Sequence, residues 1–126
     1  MWVDGTVVLA IHDAQVAEHG GASGVRGEAA LDAALSRPQN LAIYGEPPPD
    51  LADLAAACAF AIVRNHAFLD GNKRTSAVVT ELFIRLNEMR LAAVDAEIVL
   101  TWLTIADDSL DESAFAAWLR SRLRGA

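Results

Sequence analysis

Apolar residues recur at spacings of three and four along almost the whole chain, the periodicity of amphipathic helices. A first helix is predicted from residue 7 to about residue 19, with Asp4 or Thr6 as its cap and Gly20-Gly21-Ala22-Ser23-Gly24 as its end. A short second helix over residues 28–36 would bury Leu31, Ala34 and Leu35. Arg37-Pro38 should stop it, because the residue before a proline avoids the helical region. Residues 41–49 read as irregular, with 41–44 as a short flap and Pro47-Pro48-Pro49 favouring an extended backbone. Asp50 then caps a third helix carrying Leu51, Leu54, Cys58 and Ile62 on one face. Alanines 55, 56, 57, 59 and 61 permit close approach of neighbours, so this helix is expected at the centre.

After a break at residues 67–71, a fourth helix is predicted from about Asn72 to about Arg90, with Val79, Leu82, Phe83, Leu86 and Met89 as its stripe. A fifth, capped by Asp95, turns Ile98, Trp102 and Ile105 inward. Ser109-Leu110-Asp111-Glu112 has capping-box spacing and opens a sixth with Phe115, Trp118, Leu119 and Leu123. Arg120, Arg122 and Arg124 suit its C-terminal end. Apart from the flap there is no strand signal and no internal repeat. The pattern predicts an all-α fold: one compact domain over residues 1–126, a bundle of about six helices with an irregular flap before the central one.

Composition narrows the class. With 126 residues and 53% hydrophobic content the chain can bury a real core, which excludes a disordered segment. No apolar run approaches the roughly 18 residues of a membrane span, and the start lacks the basic and apolar regions of a secretory signal. A single cysteine, Cys58, agrees with a reducing compartment. The expectation is a soluble cytoplasmic protein without a membrane partner. Net charge is −7, made of −6 over residues 1–63 and −1 over residues 64–126, so the chain has no footprint for binding nucleic acid directly. One lysine, Lys73, stands against nine arginines, which suggests a site wanting a compact point charge.

Lys73 lies in the segment that packing explains least, Arg64-Asn65-His66-Ala67-Phe68-Leu69-Asp70-Gly71-Asn72-Lys73-Arg74-Thr75. Gly71 can adopt positive φ, turning the following amides toward a common point at the start of a helix, a ready anion site. Lys73 and Arg74 oppose the helix dipole there unless an anion is bound, and phosphate is the natural one. Asp70 beside a phosphate calls for a metal between them, and Mg²⁺ binds through one or two carboxylates plus phosphate oxygens. His66 titrates near neutrality and can act as general base. Phe68 anchors the loop in the core. The plainer alternative is a helix–loop–helix corner with Asp70 paired to Lys73 or Arg74 and His66 packed in the core.

Other candidates carry less. The position five before Gly71 is His66 and no GK pair occurs, so this is not a Walker A loop; HExxH, CxxC and GxSxG are also missing. His12 and His19 are expected on the surface, Cys58 in the core, and Tyr44 as a loop anchor in preference to a substrate contact. Aromatic residues of the last two helices are read as core.

Residues 66–74 resemble the motif of the Fic/Doc family, H-x-F-x-[DE]-[AG]-N-[KG]-R, in which all seven specified positions match. His12-Asp13, Gly20-Gly21, Arg37-Pro38-Gln39 and residues 57–66 also look like Doc (death-on-curing) toxins. AMP-transferring Fic proteins have a second glycine where Lys73 stands and a second arginine where Ala77 stands, so the resemblance is to the Doc branch. It implies a toxin of a toxin–antitoxin module that moves the γ-phosphate of ATP to a Ser/Thr hydroxyl, with elongation factor Tu as the known kind of target. His66 would be the base, and Asp70 would hold Mg²⁺. Arg64, Gly71, Asn72, Lys73 and Arg74 would bind the phosphates, with Lys73 also acting in catalysis. Ile43 and Tyr44 in the flap would dock the target. Gly71 is a Fic-like feature, so nucleotidyl transfer stays open, as does a catalytically silent module that only binds an antitoxin. Family members with an internal brake carry [ST]-x-x-x-E-[GN]; none of the Ser or Thr residues here has Glu four positions on. That implies restraint by a separate Phd-like antitoxin.

Overall fold

The computed structural model describes residues 1–22, 24, 28–65 and 68–126. Among these the order is α1 (Gly5–His19), α2 (Glu28–Tyr44), α3 (Leu51–Asn65), α4 (Asn72–Leu86), β1 (Met89–Leu91), α5 (Asp95–Ala106), α6 (Glu112–Arg122) and β2 (Leu123–Gly125). The all-α expectation holds, with a two-stranded sheet added.

α3 is the hub. Ala52 and every residue from Ala55 to Val63 are buried, and the helix packs against α2, α4, α5 and α6. Its alanines remove the side-chain bulk that would hold neighbouring backbones apart. Ser76 Oγ of α4 donates to the Ala59 carbonyl at 3.0 Å and accepts from Trp102 Nε1 of α5 at 2.9 Å. This buried relay ties three helices in one register. Around it Phe60, Trp102, Phe115 and Trp118 stack or meet edge-on. Trp102 and Phe115 are core, as expected, and Trp118 packs against them partly buried.

Helix ends follow their caps. Asp4 caps α1 by accepting from the Thr6 amide, and Asp111 caps α6 by accepting from Ala114, a place the capping-box spacing had given to Ser109. α5 begins at Asp95 but its N-cap is Val94, with Asp95 in the first turn facing the dipole.

Four expectations are corrected. α2 does not stop at Arg37-Pro38; it runs through Pro38 to Tyr44. Leu31, Ala34, Pro38 and Leu41 all face inward on one stripe, so packing along α3 outweighs the hydrogen bond that Pro38 cannot donate. The flap over residues 41–44 is therefore the last turn of a helix, and the irregular stretch is residues 45–50. α4 ends at Leu86 instead of Arg90: Asn87 Nδ2 donates to the Phe83 carbonyl at 2.8 Å and Glu88 takes φ 66°, which turns the chain into β1. β1 pairs antiparallel with β2, Arg90 opposite Arg124, so Leu123 and Arg124 leave the sixth helix. No helix among the described residues is long and apolar enough to cross a membrane.

Candidate functional site

The corner between α3 and α4 is held from below and from within. Phe68 is fully buried, its ring lying flat on that of His12 at 3.9 Å between centroids and 8° between planes. Asn72 folds back on the same residue: its Oδ1 accepts from the Phe68 amide at 3.1 Å and its Nδ2 donates to the Phe68 carbonyl at 3.0 Å. Both ends of the amide side chain are thus occupied in closing the loop. Gly71 follows at φ 75°, ψ 19°, a left-handed conformation in which an L side chain would be strained, and it is the N-cap of α4.

Asp70 stands at the rim. Its Oδ1 accepts from the Gly71 amide at 2.8 Å, and Oδ2 has no hydrogen-bond partner among the described residues. Gly21, beyond the end of α1, sits so close that a Cβ there would lie 2.6 Å from Oδ2. Any other residue would push the carboxylate aside.

Beyond Asp70 lies the open end of α4. The first amides of a helix have no intrahelical acceptor, and no side chain caps those of α4. Its first turn contains no acid; it contains Lys73 and Arg74, both exposed. Neither pairs with Asp70 among the described residues, so the ion-paired corner offered as the plainer alternative does not form there. Arg74 reaches the Gly20 carbonyl only at 3.5 Å. These groups line a pocket of about 460 Å³, which Arg64, Leu69, Ala106 and Asp108 complete. Arg64 is paired to Asp108 at 2.8 Å and its guanidinium lies over the Phe60 ring at 5.3 Å. Three cations meet two carboxylates here, an excess of positive charge in a chain whose net charge is −7.

The donor set fits a phosphate group: uncapped amides, Lys73 and Arg74 converge on one opening. It also fits Mg²⁺, which binds through one or two carboxylates plus phosphate oxygens, since Asp70 Oδ2 has no hydrogen-bond partner among the described residues.

Arg64, Asp70, Gly71, Asn72, Lys73 and Arg74 thus come together at one pocket. His66 lies outside the described residues. Ile43 and Tyr44 are 69% and 78% exposed on the last turn of α2, so Tyr44 anchors no loop. His19 is exposed, but His12 is not: it is 1% exposed and its Nε2 lies 2.7 Å from the Asp70 carbonyl. The surface expectation for His12 fails because its helix face is covered by the loop, which periodicity within α1 alone could not reveal. The seven-residue spacing from His19 pointed the other way, since it allows the two to share a face. Cys58 is buried, and desolvation pushes its thiol up to about 12, which makes it inert.

This arrangement, a helical scaffold presenting the loop at the start of α4, is that of a known family. The family model described as Fic/DOC family matches residues 2–84, about two-thirds of the chain, and the chain belongs to that family. More finely, it sides with the Doc proteins. It is 42% identical over 100 residues to the protein named Toxin Doc of Mycolicibacterium smegmatis, covering 75% of this chain and 76% of that one. It is 33% identical over 84 residues to Protein kinase doc of Escherichia phage P1, covering 67% of this chain and 66% of that protein.

Proposed function

We propose that this chain is a Doc-type toxin that transfers the γ-phosphate of ATP to a Ser/Thr hydroxyl of a target protein, with elongation factor Tu as the first target to test. The observation that carries the reading is the uncapped start of α4, with Lys73 and Arg74 in its first turn and Asp70 at its mouth. That combination is locally unfavourable without an anion and favourable with one. The names of the two Doc relatives, a toxin and a protein kinase, support it.

In this reading the chain does little covalent chemistry and much positioning, as phosphoryl transfer requires. The amides at the start of α4, with Lys73 and Arg74, hold the phosphate oxygens and stabilise charge as it develops. Asp70 would hold Mg²⁺, which would supply neutralisation of the phosphate charge. Asn72 keeps the loop closed through Phe68. Arg64 exchanges Asp108 for a phosphate oxygen. His66 takes the hydroxyl proton as the new oxygen–phosphorus bond forms and the bond to the ADP leaving group breaks. The whole chain serves as one cytoplasmic domain, and Ile43 and Tyr44, exposed on α2, remain available to a docking target.

A Phd-like antitoxin would be the natural restraint on such an enzyme. A groove of about 310 Å³ between α4 and α5 supports a seat for it: Ala77, Ile98, Val99, Trp102 and Leu103 line it, and Lys73 and Arg74 stand at its edge. An amphipathic tail with an acidic residue there would cover the apolar floor and reach the phosphate site.

The test is one pair of incubations of this chain and purified elongation factor Tu with γ-labelled or α-labelled ATP. Label on the target from γ-labelled ATP alone is expected. Label from the α-position would establish nucleotidyl transfer instead, a reading that Gly71 favours. No label from either, with no labelled protein in a cell lysate, would leave only the silent antitoxin-binding module.

A further inference from the structure

His12 is a buried imidazole on a helix whose other residues have no role in the site, and both faces of its role are visible. Its ring stacks on Phe68, and its Nε2 lies 2.7 Å from the carbonyl oxygen of Asp70. A carbonyl only accepts, so Nε2 carries the hydrogen and donates it. The Asp70 carbonyl and the Gly71 amide belong to the same planar peptide unit. The amide end of that unit is held by Asp70's own Oδ1 at 2.8 Å. The carbonyl end is held by His12.

Without the second hold the unit could rotate, because it precedes a glycine, and glycine tolerates both signs of φ. Rotation would break the Oδ1 contact and turn Gly71 away from φ 75°, the conformation that opens α4 toward the pocket. Gly21 packs against the same carboxylate, where a Cβ would lie 2.6 Å from Oδ2, so the side chain is confined on that side as well. We propose that His12 is a positioning residue: by donating from Nε2 it locks the Asp70–Gly71 peptide, and thereby fixes both the Asp70 carboxylate, the metal-holding group of the reading above, and the helix start that holds the phosphate. The inference rests on the transferase reading above, and it adds a residue 58 positions before Asp70, on α1.

The test compares the parent with His12→Phe, which keeps the stacking ring and removes the donor, and His12→Gln, which keeps a donor at about the same reach. With γ-labelled ATP and the target, His12→Phe should lower kcat at least ten-fold while KM for ATP changes less than three-fold. His12→Gln should recover at least a third of the parent kcat. A His12→Phe variant within two-fold of the parent, or equal impairment of both variants, would overturn the proposal. Imidazole nitrogen NMR of the parent chain gives a readout independent of turnover. A protonated Nε2 whose hydrogen exchanges far more slowly than that of the exposed His19 is expected; an Nδ1-protonated ring, or exchange as fast as in His19, would overturn it. The ring spectrum decides if neither variant folds. Absence of transfer by the parent would refute the transferase reading and leave the spectrum to judge the peptide lock.

Discussion

The starts of α3 and α4 are built in opposite ways. At α3 the Asp53 amide donates to Asp50 Oδ1 at 2.9 Å and the Asp50 amide donates to Asp53 Oδ2 at 3.0 Å, a reciprocal cap. Arg120 of α6 then clasps both carboxylates, at 2.6 Å to Asp50 and 3.0 Å to Asp53. Every charge there faces its complement, and the dipole sees acids. At α4 a left-handed glycine caps nothing with a side chain, and the first turn carries two cations. The first end is complete by itself. The second is complete only with an anion, and the difference separates a structural helix end from a binding one.

Four outcomes would break or sharpen that contrast. The largest is expected for His66→Ala, which should cut transfer by about 10²–10⁴-fold as loss of a general base does, with unchanged helical circular dichroism. Near-parent single-turnover rates would remove His66 from the mechanism. Phe68→Ala should follow, because it empties a fully buried site and unstacks His12. It should cost about 3–5 kcal/mol in urea unfolding.

Lys73→Glu would convert the α4 start toward the α3 design. Stability should rise by about 0.3–1 kcal/mol at low salt, while ATP affinity measured by calorimetry falls about ten-fold or more, as loss of a charged hydrogen bond implies. A gain in both would show that Lys73 is only a surface charge. The smallest effect is expected at the α3 end, where Arg120→Ala should cost about 1 kcal/mol or less, since the partners are half exposed. The Arg120 guanidinium holds the Asp50 carboxyl at about 2, below its ordinary 3.8. A carboxyl depressed in the folded state contributes above pH 3.8 and loses that contribution as pH falls toward 2. The stability gap between parent and Arg120→Ala, measured at pH 6 and again near pH 2.5, should therefore narrow.

Much of this contrast could be read before the fold was known. Alanines 55–57, 59 and 61 mark α3 as central because only small residues let several helices close on one. Gly71 with two cations after it marks an open helix start because each choice is locally costly. What stayed hidden depends on tertiary partners. Pro38 reads as a stop until α2 is seen to pack along α3 with that residue buried. Met89, Arg90 and Leu91 include no β-branched residue and carry no strand signal; only their pairing with residues 123–125 makes them β1. His12 is one polar residue on an amphipathic helix until the loop folds over it. Asn72 belongs to the motif, yet its occupation by Phe68 is a matter of geometry alone.

The central claim is that the start of α4 takes a phosphate and the start of α3 does not. Titrating the ¹⁵N-labelled chain with ATP and Mg²⁺ and following the backbone amides tests it directly. The account predicts that the amides of Asn72, Lys73 and Arg74 shift most, with Asp70 and Gly71 beside them, and that those of Leu51, Ala52 and Asp53 stay in place. Silent amides at 72–74, or equal shifts at the two helix starts, would contradict it.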